Sequence, residues 1–178
     1  MANDPFGQLT LESMSGAVWY NKWVLDKITP YTKGDILEVG CGIGNFTNQL
    51  IELGSVTAID IQSDYIPQLS AELKGKALVG FGDIENGQYL FGNKKFDTIV
   101  CLNVLEHIEN DSVALKNLRL LLKKDGHLIL LVPSGMNLYG QIDRAIGHFR
   151  RYNKKDLVSQ IRNAELQVRV TRRLIRLS

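Results

Sequence analysis

Short apolar runs alternate with longer amphipathic stretches along this chain, the pattern of strands separated by helices. Over residues 9–29, Leu11, Met14, Val18, Trp23 and Ile28 recur every three to five positions and predict a helix, punctuated by Pro30 and Gly34. Residues 35–39 then predict a first strand, and 45–53 a helix closed by Gly54. A second strand is expected at 55–61 and a helix at 63–74, with Ser63 as its cap and Gly75 as its stop. Third and fourth strands are expected at 77–81 and 96–102, separated by a stretch rich in glycine and asparagine. Asp111 can cap a helix reaching Lys124, with Asp125-Gly126 ending it before a fifth strand at 127–132. A polar, glycine-bearing stretch leads to a helix at 153–162 and an alternating, half-buried strand at 166–171. Strands apolar on both faces call for a mostly parallel sheet covered on both sides, an α/β doubly wound fold. Such a fold takes ligands at the carboxyl ends of its strands.

Composition narrows the picture. With 178 residues, 44% hydrophobic and 22% charged, the chain fits one globular domain. It divides into a helical region (1–34), a core (35–133) and a lid with an incomplete C-terminal part (134–178). Residues 1–8 are polar and expected to fray. No apolar run reaches the roughly 18 residues of a membrane span, and no signal peptide stands at the N-terminus. Cys41 and Cys101 make no disulfide framework and read as small packing residues, so a cytoplasmic, reduced protein is expected. A net charge of +2 argues by itself for neither nucleic acid nor membrane. The cations crowd toward the C-terminus, including Arg144, Arg150, Arg151, Lys154 and Lys155. That run is either a solvated face or an attraction for an anionic acceptor.

The chemistry concentrates where the first strand meets its helix, in Glu38-Val39-Gly40-Cys41-Gly42-Ile43-Gly44-Asn45. Alternating glycines let the backbone take conformations a side chain forbids, and let a ligand approach the main chain. A dinucleotide fingerprint wants glycine three positions after Gly42, but Asn45 stands there and Gly44 comes one residue early. Glu38 would also repel a pyrophosphate, whereas it suits a ligand carrying a sulfonium and an amino group.

The run ILEVGCGIGNFT resembles the first signature of class I S-adenosylmethionine-dependent methyltransferases, of the small-molecule type related to quinone-pathway enzymes. VTAIDI, FGDIEN, FDTIVCLNVLEHI and KKDGHLILLVP follow in that family's order, so the resemblance covers residues 35–133 well and the flanks more loosely. It implies S-adenosylmethionine as cofactor, with Glu38, Gly40, Gly42 and Gly44 at its methionine part. It further implies Asp60 at ribose, Asp83 at adenine and Asn103 lining the cleft, with Cys41, Ile61 and Ile84 also in the cofactor site. The stretch Trp19-Tyr20-Asn21-Lys22-Trp23 either closes over the cofactor, as in relatives, or forms an aromatic cluster.

For catalysis, His107 beside Glu106 is the first candidate to orient or deprotonate a hydroxyl, the plainer reading being that it packs or caps. Within 138–152, a segment long enough to be a substrate lid, His148, Asp143 and Tyr152 are secondary candidates. His127 reads as structural. Some quinone-pathway relatives hold a metal on two glutamates and a histidine here; Asn103 replaces the first glutamate, so no metal is expected. Adenine methylation of nucleic acid is disfavoured, because Asn103-Val104-Leu105-Glu106 lacks the two prolines and aromatic of that chemistry. The resemblance implies seven strands where the pattern offers six, so a C-terminal strand is expected to be missing and the exposed edge makes a homodimer as plausible as a monomer. The function expected is methylation, at oxygen, of a small or medium-sized acceptor, with the lid's arginines hinting at an anionic one. The competing readings are a non-catalytic cofactor- or partner-binding module and a nucleotide-dependent oxidoreductase.

Overall fold

The computed structural model describes residues 18–171. Its first helix, α1 (Val18–Ile28), buries Asn21, Val24, Leu25 and Ile28 along one stripe. The part of the expected helix before Val18 lies outside the described residues, as do residues 1–8. β1 (Gly34–Val39), α2 (Thr47–Ile51), β2 (Gly54–Asp60), α3 (Ile66–Leu73) and β3 (Leu78–Asp83) follow. Then come β4 (Gln88–Tyr89), β5 (Phe96–Leu102), α4 (Asp111–Leu121), β6 (Leu122–Leu131), α5 (Gln141–Ala145) and α6 (Lys154–Asn163).

The strands form one sheet in the order β4-β3-β2-β1-β5-β6, parallel throughout except for β4 against β3. Alternation along the buried strands splits the core in two. Leu37, Val39, Ile59, Ile99 and Cys101 point to the face covered by α4 and α6, where Leu115, Leu118, Leu157 and Ile161 meet them. Ile36, Val56, Ala58 and Val100 point to the other face, packing with Val24 and Leu25 of α1, Leu50 of α2, and Leu69 and Leu73 of α3. From β1 the chain winds outward through β2 and β3, then returns to β5 on β1's other side. The carboxyl ends of β1 and β5 therefore flank the switch point, where open α/β sheets hold their ligands.

Several expectations are corrected. Gly54 opens β2 rather than capping α2. Ser63 begins a short 3₁₀ turn (Ser63–Tyr65) and makes no side-chain cap. Asp111 is the first residue of α4, whose N-cap is Asn110. α4 stops at Leu121 because Leu122 already pairs with Phe96, so Lys123 to Gly126 belong to β6. Residues 166–171 form no strand: Leu166 packs on the core, and no neighbour offers them a ladder among the described residues. The short β4, inside the glycine- and asparagine-rich stretch, was not expected.

Candidate functional site

β1 delivers Glu38 and Val39 to its carboxyl end, and the chain then turns through Gly40, Gly42 and Gly44 at φ of +74°, +50° and +88°. These are left-handed conformations that favour glycine. The amides of Gly40 and Cys41 both donate to the Ile59 carbonyl, at 2.8 and 3.1 Å, and Gly44 donates to the Cys41 carbonyl at 2.8 Å. A Cβ on Gly40 would drive into Val104, and one on Gly44 into Leu69. The absence of a side chain at Gly40 is thus what lets the turn after β5 close against the loop. The Cys41 side chain is buried, so it shapes the loop from behind.

Asp60 ends β2 with its carboxylate fixed by two amides: Gly42 donates to Oδ2 at 2.7 Å and Gln62 to Oδ1 at 2.8 Å. Each oxygen keeps further acceptor capacity, which two vicinal hydroxyls can use. Glu38 is buried, and the Thr47 hydroxyl donates to its Oε2 at 2.6 Å. Burial pushes Glu38 up to about 8 against the pull of that hydrogen bond, and the neighbouring Asp60 adds to the rise. Burial also raises Asp60, opposed by its backbone donors, and drives the Cys41 thiol upward so that it stays neutral. Among the described residues no lysine or arginine forms an ion pair with Glu38 or Asp60. Two buried carboxyls without a basic partner favour a cationic ligand and oppose a pyrophosphate. The donor set thus fits the ammonium, sulfonium and ribose of S-adenosylmethionine.

Ile61, beside Asp60, is exposed and offers an apolar face. Asp83 ends β3, but its carboxylate is spent shaping the next turn: it accepts from the amides of Glu85 and Asn86 at 2.9 and 3.0 Å and from Asn86 Nδ2 at 2.8 Å. The Ile84 side chain is buried in the α4-side core, and Asn117 occupies its carbonyl at 2.8 Å. Its side chain therefore belongs to the core in this structure. Asn103 follows β5 at φ +54°, pinned by its amide to the Leu131 carbonyl at 2.8 Å. Its side chain hydrogen-bonds Tyr20, whose hydroxyl is raised by burial, opposed by that bond and reinforced by Glu106. α1 thus reaches the switch point through Tyr20, while Trp19 and Trp23 stack at 6.1 Å between ring centroids.

The second group of residues converges from the turn after β5 and from the lid. Glu106, in the 3₁₀ turn Leu105–His107, is only 1% exposed, and burial raises its carboxyl to about 8. Its Oε1 stands 3.9 Å from His148 Nε2, and its Oε2 has no hydrogen-bond partner among the described residues. The rings of His107 and His148 meet edge to face at 4.6 Å, and donor atoms of Glu106, His107 and His148 all lie within 4.8 Å of one another. Phe149 donates its amide to the Glu106 carbonyl at 2.8 Å, and the Tyr139 hydroxyl donates to the His148 carbonyl at 2.8 Å, so the lid is stitched over this turn.

Asp143 reaches no open cleft. Its Oδ1 takes Arg151 Nε at 2.7 Å and His148 Nδ1 at 3.1 Å, and its Oδ2 takes the Gly140 amide at 2.9 Å. Arg151, foremost, holds the Asp143 carboxyl well below the usual range. A carboxylate so occupied positions His148 rather than meeting an acceptor. Tyr152 is likewise an anchor: the single proton of its buried hydroxyl is shared between Asp111 Oδ2 at 2.9 Å and the Leu105 carbonyl at 3.1 Å. Burial and Asp111 hold its phenol far above the ordinary value. Arg150 is spent on Asp111 at 2.9 Å and the Glu109 carbonyl at 2.7 Å. Arg150 and Arg151 are thus each already paired with a carboxylate, Asp111 and Asp143 respectively. His127 lies within β6, opposite Thr98.

Glu106, Tyr20 and Val104 are the site residues to which the sequence alone assigned no definite part. Glu106 left one signal, a charged residue beside His107 just past an apolar strand; its burial became visible only with the lid in place.

The sequence model of the family described as a methyltransferase domain matches residues 37–128. A ubiquinone biosynthesis O-methyltransferase of Rickettsia canadensis is 33% identical over 115 residues, covering 61% of this chain and 48% of that protein. Nodulation protein S of Azorhizobium caulinodans is 32% identical over 106 residues, covering 57% of this chain and 50% of that one. This chain spans about half the length of such curated relatives. Among solved structures, an S-adenosylmethionine-dependent methyltransferase from Clostridium acetobutylicum superposes with a TM-score of 0.61 at 16% identity, covering 81% of this chain and 78% of that one, a likeness of fold.

Proposed function

This chain belongs to the methyltransferase domain family, and we propose that it moves a methyl group from S-adenosylmethionine to an oxygen of a small or medium-sized acceptor. The observation that carries this reading is the pair of buried carboxyls, Glu38 and Asp60, without a basic partner around a glycine loop at the switch point. When bound, S-adenosylmethionine supplies a methyl group on a sulfonium, already electrophilic, so the protein's work is to hold and align. Glu38 and the loop of Gly40, Cys41, Gly42 and Gly44 hold the methionine part. Asp60 accepts from the ribose hydroxyls, and Ile61 lies beside them. Asp83 fixes the turn that carries the Ile84 backbone toward adenine, and Asn103, braced by Tyr20, lines the cleft.

His107 and His148 orient the acceptor hydroxyl, with Asp143 fixing the His148 ring. The names of the ubiquinone biosynthesis relatives favour oxygen as the methylated atom. A neutral or anionic acceptor is compatible with the lid, but an anion would have to rely on Arg144, Lys154 or Lys155, since Arg150 and Arg151 are paired internally. The domain works as a monomer or as a homodimer joined along the β6 edge.

Methyl-labelled S-adenosylmethionine offered with catechols, and with the matching amines and thiols, tests the reading. Label is expected in the hydroxyl compounds and lost in Asp60→Ala. Tight cofactor binding with label in no acceptor would favour the non-catalytic module instead.

A further inference from the structure

The connection from β6 to α6 is pinched at its ends. Gly135 donates its amide to the Tyr152 carbonyl at 3.0 Å, and Tyr152 donates its own to the Pro133 carbonyl at 2.8 Å, so residues 136–151 form a closed surface loop. Polar groups hold it from within: Asp143 takes His148, Arg151 and the Gly140 amide. The large apolar side chains turn outward instead. Met136, Leu138, Ile142 and Phe149 are all exposed, Leu138 to 61% and Ile142 to 76%. Fourteen large apolar side chains are exposed among the described residues, and these four fall within the single stretch 136–149. Scattered exposed apolar residues are ordinary, but such a concentration in one loop marks a contact surface.

Cations accompany that loop. Residues 134–164 hold six lysines and arginines against two aspartates, whereas the rest of the chain has more acids than bases. Arg150 and Arg151 are paired with Asp111 and Asp143. The other four are exposed and form no ion pair among the described residues. Arg144 lies on the loop itself, its guanidinium 5.6 Å from the Tyr139 ring. Lys154 and Lys155 stand just past the pinch, and Arg162 two turns further along α6. Leu157 and Ile161 turn to the core, which leaves Lys154, Lys155, Ser159 and Arg162 along an outward groove of α6.

We infer that this loop and the outward side of α6 are a docking surface for an anionic lipid bilayer. The apolar side chains enter between the headgroups, and Arg144, Lys154, Lys155 and Arg162 meet the lipid phosphates. Charge complementarity selects the occupant. A nucleic acid would satisfy the cations but offers nothing to Leu138 and Ile142, since its bases stack on aromatic rings. A bilayer satisfies both groups at once. The contact is peripheral and reversible, and it does not depend on methyl transfer.

Flotation of the chain with vesicles tests this without cofactor or acceptor. Vesicles of phosphatidylcholine alone are compared with vesicles carrying one third phosphatidylglycerol, at low and at high salt. The wild-type chain is expected to float with the anionic vesicles and to be released as salt rises. Lys154→Gln/Lys155→Gln should weaken partitioning onto them by about tenfold or more. Leu138→Gln/Ile142→Gln should weaken it by about tenfold or more as well. Leu120→Gln, at a similarly exposed position on α4, should leave it unchanged. All these side chains are exposed, so the urea midpoint of each variant should match the wild type. Ile142→Trp should add emission that shifts to the blue on binding, which Leu120→Trp should not.

Absence of flotation with the anionic vesicles would overturn the inference, as would equal binding to the neutral ones. So would a loss that Leu120→Gln causes as readily as Leu138→Gln/Ile142→Gln. A dimer in sedimentation that Leu138→Gln/Ile142→Gln disperses would give the surface to a second copy of the chain, and preference for single-stranded DNA over vesicles would give it to nucleic acid; either overturns the bilayer. None of these outcomes touches the methyltransferase reading, which stands on the cofactor site.

Discussion

Glu38 and Glu106 carry their carboxyls into the interior, and the chain's own stability should record the cost. In the unfolded chain each titrates near 4.3, in the folded chain at about 8. Between those values the native state binds more protons than the unfolded state, so stability falls as pH rises through that window. The urea midpoint of the ligand-free chain is expected to drop from pH 5 to pH 8, and the double variant Glu38→Gln/Glu106→Gln should flatten that drop. A midpoint that rises with pH would contradict these assignments. Glycine positions can be separated in the same way. Gly40→Ala and Gly75→Ala share a strained φ, +74° and +80°, worth about 1–2 kcal/mol, but only the first also collides with Val104, since a Cβ at Gly75 meets nothing within 4 Å. Chemical denaturation of Gly40→Ala and Gly75→Ala should therefore show the first to be clearly the less stable.

At the scale of elements, what was legible in the sequence follows from what each element depends on. β1, β2 and β5 are apolar on both faces because both faces are covered, and continuous apolar runs mark them closely. The end of α4 was misread because Leu118, Leu121 and Leu122 continue a helical spacing, while the ladder to Phe96 makes Leu122 extended. A strand exists through its partner, which periodicity does not contain; residues 166–171 alternate and still form none. The glycine loop and Asp60 were readable because they are local and adjacent to strand ends. The joining of Glu106 to His148 and Asp143 was not, since it depends on the lid folding back over the turn after β5. Tyr152 is the peg of that fold-back. Tyr152→Phe leaves Asp111 short of one donor and should cost about 1–2 kcal/mol, with Arg150 still in place. Leu118→Ala, in the centre of the α4-side core, should cost about 2–5 kcal/mol by the same denaturation measurement. Tyr152→Phe, unlike Leu118→Ala, should also loosen protection of the lid amides in hydrogen exchange.

For the molecule as a whole, function rests on topology and charge together. The reversal of winding at β1 sets the carboxyl ends of β1 and β5 on either side of the switch point, and among the described residues Glu38 and Asp60 beside it pair with no lysine or arginine. That distribution separates a sulfonium donor from a dinucleotide more firmly than the glycine spacing does. No described helix is long and apolar enough to cross a membrane, and the cations that crowd toward the C-terminus are partly consumed in holding the lid. The proposed function stands on Asp60 and the loop it braces forming an S-adenosylmethionine site. Isothermal calorimetry of S-adenosylmethionine, S-adenosylhomocysteine and NAD with the wild-type chain and Asp60→Ala tests it directly. Micromolar binding of the two nucleosides, weaker by about tenfold or more in Asp60→Ala and absent for NAD, is the predicted result. Binding unaffected by the substitution, or tighter binding of NAD, would contradict it.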